Sequence, residues 1–126
     1  MLIDKNSIMI NGISMGQYLV QAEYQYNKLW SSDSGRNLAG VQSGTLIGVF
    51  PKLVLQFRKL TKEELEIIVP ILDAQNQTLT YYDPYKKANT TITTYTGDYS
   101  VVNKSIINGD HKNEGFSCSF IAIRKR

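Results

Sequence analysis

The sequence predicts a mainly β fold, a β-sandwich or barrel of about seven or eight strands with one flanking α-helix. Three observations support this prediction. Apolar and polar residues alternate with a period of two in most segments, turn residues separate these segments at short intervals, and only one stretch carries a good helix start signal. The composition agrees, because the eight Tyr residues accompany many Thr, Ile and Val residues that pack well on a pleated sheet.

The size and composition indicate one globular domain that spans residues 1–126. A hydrophobic fraction of 42% and a charged fraction of 20% argue against wholesale disorder. Arg124, Lys125 and Arg126 supply much of the net charge of +3, and we interpret them as a solvated tail, with a nucleic-acid or lipid contact as the alternative. The sequence shows no signal-peptide pattern. It also has no apolar stretch near the length of about 20 residues that a membrane helix needs. The sequence therefore predicts folding in the cytoplasm.

A hairpin and a long strand are predicted first. Asn11-Gly12 lies between apolar runs, and both residues tolerate the positive φ of a type I′ turn. The next segment alternates strictly, so one face of the strand carries five apolar or aromatic side chains, which are Tyr18, Val20, Ala22, Tyr24 and Tyr26. We interpret this face as core or subunit interface, because a nucleic-acid platform would interleave Lys and Arg with the aromatic residues.

The segment from Ser31 to Gly44 has the composition of a loop, with three glycines and four serines. Ordering such a segment costs about 1–2 kcal/mol of backbone entropy per residue, so we expect it to be mobile alone and ordered against a partner. Arg36 can bind a carboxylate through two hydrogen bonds. The candidate interface loop comprises Ser34, Gly35, Arg36, Asn37, Leu38, Gly40 and Val41.

One helix is predicted from about Lys62 to Asp73. Thr61 and Glu64 have the spacing of a capping box. Pro70 predicts a kink or an early end. Four apolar residues form the stripe that should be buried, namely Leu65, Ile68, Ile71 and Leu72.

Strands are predicted on both sides of this helix. The strand between Thr45 and Phe57 contains Pro51, which marks an edge, a bulge or a break. Residues 78–82, 90–96, 99–107 and 116–121 also have strand character, and 108–115 is predicted to be a polar loop.

The sequence predicts no catalytic residues, no metal site and no cofactor. His111 is the only histidine and has no neighbouring Cys, so a zinc site is not indicated. Cys118, the only cysteine, lies between aromatic residues on a strand and is interpreted as a small buried side chain. Asp83 and Asp98 are interpreted as turn residues. A small enzyme remains the weakest of the hypotheses.

Three short segments occur in a suggestive order: Ser34-Gly35-Arg36-Asn37-Leu38-Ala39-Gly40, the capped Thr61-Lys62-Glu63-Glu64 helix, and Thr80-Tyr81-Tyr82-Asp83-Pro84. The order resembles a small family of tail-region structural proteins in phages and prophages of Gram-positive bacteria, similar in outline to tail-tube and distal-tail proteins. The resemblance implies a virion structural protein of a phage tail or neck, assembled in the host cytoplasm, with no enzymatic activity.

The resemblance also implies the partners. Subunits of such proteins form rings, commonly of six, that stack on other tail or neck proteins, without a membrane and with nucleic acid only passing through the ring lumen. The alternative hypothesis is a stand-alone binding module for saccharide or nucleic acid that uses exposed tyrosines on a β-face.

Overall fold

The computed structural model describes residues 3–31, 35–36, 40 and 42–126. These residues contain eleven strands, one α-helix and a single 3-10 turn, so the prediction of a mainly β fold with one helix is confirmed. Seven strands form one antiparallel sheet, and the other four form two separate two-stranded ladders.

The elements follow one another in chain order. The strands are β1 (Met9–Ile10), β2 (Ile13–Ser14), β3 (Leu19–Trp30), β4 (Gly35–Arg36), β5 (Gln42–Ser43), β6 (Leu46–Phe57), β7 (Gln77–Asp83), β8 (Ala88–Thr96), β9 (Asn103–Ile107), β10 (Asp110–Asn113) and β11 (Phe116–Ala122). The 3-10 turn is Gly16–Tyr18, and the helix α1 is Lys62–Asp73. The strand order of the main sheet is β2-β1-β7-β8-β11-β6-β3.

The main sheet is strongly curved. Three strands lie between β3 and β7 in the sheet, yet the rings of Tyr24 on β3 and Tyr81 on β7 meet edge to face, with their centroids 5.6 Å apart. A flat sheet would hold these rings far apart, because neighbouring strands are spaced by about 4.8 Å. One curved sheet around one core therefore fits the barrel alternative better than two stacked sheets.

Two hairpins are closed by Asn-Gly turns. Asn11 and Gly12 have φ values of 53° and 80°, as the predicted type I′ turn requires, and Ile10 pairs with Ile13. The same turn recurs at Asn108-Gly109, with φ values of 52° and 76°. There the predicted polar loop is wrong, because Asp110–Asn113 forms β10 and pairs with β9. Both strands are largely exposed, so no buried face imposed an apolar alternation on the sequence.

The start of β3 departs from the prediction. Tyr18 belongs to the 3-10 turn and is buried, and the ladder shifts register between Leu19 and Gln21. The resulting bulge leaves Val20 exposed, contrary to its predicted place on the buried face. Ala22 and Tyr24 pack against the core as predicted.

The helix α1 begins with the predicted capping box. Thr61 Oγ1 accepts a hydrogen bond from the Glu64 N–H at 3.3 Å, and Glu64 Oε1 accepts one from the Thr61 N–H at 3.0 Å. Arg58 donates two further hydrogen bonds to the Glu64 carboxylate. The Arg58 hydrogen bond is the largest cause that lowers the pKa of Glu64.

The end of α1 is held by side chains from the sheet. Gln77 Nε2 donates to the carbonyls of Ile71 and Ala74, both at 3.0 Å, and Thr96 Oγ1 donates to the Leu72 carbonyl at 2.8 Å. These bonds satisfy carbonyls that lack a partner within the helix. The expected early end at Pro70 does not occur. Pro70 is exposed, while burial of Ile71 and Leu72 holds the last turn.

Thr61→Ala is expected to reduce the free energy of unfolding by about 1 kcal/mol, because one N–H at the start of the helix loses its acceptor. Urea unfolding measures this loss as a lower midpoint. Thr61→Ser keeps the hydroxyl and should retain most of the stability. Equal stability of the Ala and Ser variants would show that the capping bond contributes nothing.

Candidate interaction site

The β3–β6 hairpin extends beyond the curved sheet. Its ladder runs from Leu19 opposite Phe57 to Trp30 opposite Leu46, whereas β11 pairs with β6 only as far as Lys52. Pro51, the next residue, has no N–H with which to extend the pairing. The outer part of the hairpin, residues 26–30 paired with residues 46–51, is a two-stranded ribbon that we call the arm.

The segment from Ser31 to Gly44, predicted as a loop, lies in sequence between the two strands of the arm. The prediction of a loop is wrong for four of its residues, since Gly35–Arg36 of β4 pairs with Gln42–Ser43 of β5. Gly40 is exposed and has a φ of 81°. The other predicted residues, Ser34, Asn37, Leu38 and Val41, lie outside the described residues.

Large apolar side chains are exposed on the arm. Leu29, Trp30, Leu46 and Ile47 are between 37% and 48% exposed. Trp30 lies opposite Leu46 across the ladder, on one face of the arm. The ladder shifts register here, since Leu29 lies opposite Gly48 and Trp30 opposite Leu46. None of the four was predicted as an interface residue, although the apolar pairs at 29–30 and 46–47 directly flank the Ser- and Gly-rich segment.

An apolar groove continues from the arm across the outer face of the sheet. The groove has a volume of about 490 Å³ and lies beside Leu29. Most of its lining is apolar, contributed by Leu29, Phe50, Tyr95, Ile121, Ala122 and Ile123. Tyr95 and Ile123 are exposed. An apolar surface of this kind on a folded chain is typical of an interaction site.

A buried ion pair lies at the base of the arm. Asp83 ends β7 with its side chain fully buried, and its Oδ1 accepts hydrogen bonds from the Tyr85 N–H at 2.9 Å and from Arg126 Nη1 at 3.1 Å. The Tyr81 hydroxyl donates to Oδ2 at 3.4 Å. The bond to Tyr85 confirms Asp83 as a turn residue. The interpretation of the basic tail as solvated is wrong for Arg126, whose side chain is only 14% exposed.

Two tyrosine rings flank the Arg126 guanidinium. Its Cζ lies 4.4 Å from the ring centroid of Tyr85 and 5.0 Å from that of Tyr26. Burial is the main cause that raises the pKa of Tyr26; Asp83 raises it further and Arg126 opposes the rise. Both distances are within the range of a cation–π contact.

Tyr82 and Tyr95, two of the exposed tyrosines, lie far apart on the sheet. Tyr82 lies opposite Asn89 on β8, and Tyr95 is six positions further along that strand. At about 3.4 Å per residue the two side chains are about 20 Å apart. The predicted core role of Tyr18 and Tyr24 is confirmed, because Tyr18 is buried and Tyr24 packs against the core.

The structure places the cysteine and the histidine of the sequence in different surroundings. Cys118 is buried, and burial raises its pKa to about 11, so its thiol is a poor nucleophile. His111 is exposed and lines a cavity of about 640 Å³ at the start of α1, together with Lys59, Lys62, Lys104 and Lys112.

Neither a metal centre nor a membrane helix is found in the part of the chain that the structure describes. No group of three or more His, Cys, Asp and Glu side chains could hold a metal ion there. No helix among the same residues is long and apolar enough to cross a bilayer. A scan against protein-family models and a search of curated proteins find no match for this chain.

Proposed function

We propose that this chain is a virion structural protein of a phage tail or neck, which assembles with copies of itself into a ring and joins adjacent tail components. The observation that carries the proposal is the arm, which leaves the sheet at Pro51 and exposes Leu29, Trp30, Leu46 and Ile47. The phage context and the expected six subunits come from the resemblance described above.

A partner surface would stabilise the arm. An isolated two-stranded hairpin is marginally stable in water, and a third strand or a packed face is needed to hold it. Beyond Lys52, β6 has no further strand of the main sheet on its outer side. Because Leu29, Trp30, Leu46 and Ile47 are exposed, a neighbouring subunit that covered them would stabilise the arm by about 25 cal/mol per Å² of apolar surface removed from water.

The arm and the apolar groove are different surfaces of one chain. A contact in which the arm of one subunit lies on the groove of the next is heterologous, and such contacts close into a ring when the rotation between subunits permits. The two surfaces adjoin, because Leu29 on the arm also lines the groove. Together they would form one continuous interface along the outer face.

Trp30→Glu is expected to abolish ring assembly without changing the fold, because a carboxylate on the arm would be desolvated in the interface. The matched control is Tyr82→Glu, which places the same charge at an aromatic residue that is also exposed but lies on β7, outside the arm. Mass photometry measures the particle size, and thermal melting checks that both variants fold. Arg36→Glu, in β4, should resemble Trp30→Glu.

Two outcomes would contradict the proposal. One is a wild-type chain that remains monomeric at high concentration and in the presence of the neighbouring virion proteins. The other is a Trp30→Glu variant that assembles as well as the Tyr82→Glu control.

A further inference from the structure

The surroundings of Arg126 have the composition of a binding site. The Asp83 carboxylate is fully buried, and the bonds from Tyr85 N–H and Tyr81 hydroxyl hold it in place. The Arg126 guanidinium lies close to two tyrosine rings. It donates a hydrogen bond to the Asp83 carboxylate, which neutralises its charge. A planar cation that pairs with a carboxylate and stacks on aromatic rings is the chemistry of arginine and not that of lysine.

The segment that carries Arg126 is also held to the sheet by a bond of 3.1 Å from the Ile123 N–H to the Thr93 carbonyl. Arg124 and Lys125 are exposed. Its contacts with the arm are a bond of 2.7 Å from the Arg126 N–H to the Val49 carbonyl, a bond of 3.3 Å from Lys125 Nζ to the Ile47 carbonyl, and packing of Lys125 against Gly48. The Arg126 side chain adds the ion pair with the buried Asp83 carboxylate to these contacts.

We propose that Asp83, Tyr26 and Tyr85 form a receptor for an arginine guanidinium, which Arg126 of the same chain fills in this structure and Arg126 of a second copy can fill instead. Every copy carries both the receptor and its ligand, so exchange of residues 123–126 between two copies needs no new contact. The carbonyls of Ile47 and Val49 lie on the arm and would accept the incoming segment in the same way. The receptor does not depend on the ring proposal.

The first test fills an emptied receptor. In the full-length Arg126→Ala variant the receptor has no ligand, and the probe is an acetylated peptide with the sequence of residues 123–126, Ile-Arg-Lys-Arg. This peptide should raise the Tm of the variant in a saturable way and leave the Tm of the wild type unchanged. A control peptide that ends in Lys should raise it much less.

Two results would overturn the receptor. One is equal Tm shifts with the Arg and Lys peptides, or no shift with either. The other is a shift that persists when Asp83→Asn is added to the Arg126→Ala variant. If Arg126→Ala does not fold, Arg126→Lys retains a positive charge, and binding of labelled Arg and Lys peptides to that variant is compared instead.

The second test concerns exchange between copies. Asp83→Asn removes the carboxylate of the receptor but leaves Arg126 available as a ligand. When the Asp83→Asn protein is mixed with the Arg126→Ala protein, the Tm of the Arg126→Ala protein should rise. The control is the double variant Asp83→Asn with Arg126→Ala, mixed in the same way. It should not raise this Tm, because it has no arginine at position 126. If the two added proteins have equal effects, the exchange of Arg126 between copies is wrong. The proposal that Asp83, Tyr26 and Tyr85 bind a guanidinium within one chain would not be affected.

Discussion

Arg126→Ala is expected to reduce the free energy of unfolding by about 3–5 kcal/mol, because it leaves the Asp83 carboxylate buried without its positive partner. Asp83 is fully buried, and the pair is thus poorly screened by solvent. The substitution also removes the cation that lies against the rings of Tyr26 and Tyr85. Urea unfolding followed by circular dichroism measures the loss.

The control for this prediction is Arg124→Ala, two residues earlier in the same segment. Arg124 is exposed, so its loss should change the free energy of unfolding by no more than about 0.5 kcal/mol. If both alanine variants unfold at the same urea concentration, the ion pair of Arg126 with Asp83 does not contribute to stability.

Ile68→Ala is expected to reduce the free energy of unfolding by about 2–5 kcal/mol, because the variant loses a buried aliphatic side chain and a cavity remains in its place. Ile68 is fully buried at the centre of the helix face that packs on the sheet. Ile67 is the matched control, since the same residue type one position earlier is 45% exposed. Ile67→Ala should cost much less, and Glu66→Ala, also at an exposed position, should cost little. Similar melting temperatures for Ile68→Ala and Ile67→Ala would mean that the wrong helix face is assigned to the core.

The elements that the sequence predicted correctly depend on contacts between near neighbours. The capping box joins Thr61 to Glu64, and the first type I′ turn needs only Asn11 and Gly12. The buried stripe of α1 follows from the 3.6-residue period of the helix. In each case the residues that give the signal lie close in sequence to the structure that they form.

The candidate site was predicted only in part. The Ser- and Gly-rich segment indicated an interaction surface in the right stretch of chain, but its apolar neighbours Leu29, Trp30, Leu46 and Ile47 were not recognised as exposed. A strand residue looks the same in sequence whether its face is covered or free. Only the end of the β11 pairing at Lys52 shows that the arm has left the sheet.

The sequence by itself determined the mainly β class, the position of the single helix and the first hairpin turn, because these depend on local periodicity, capping and the φ preferences of Asn-Gly. The tertiary structure alone decided the curvature that brings Tyr24 to Tyr81 and the burial of Arg126 against Asp83, which lie 43 residues apart in sequence. Both arise from strand order, and strand order is a choice among long-range pairings that no short pattern specifies. The same residues in another topology would leave Arg126 in solvent and Asp83 in an ordinary turn.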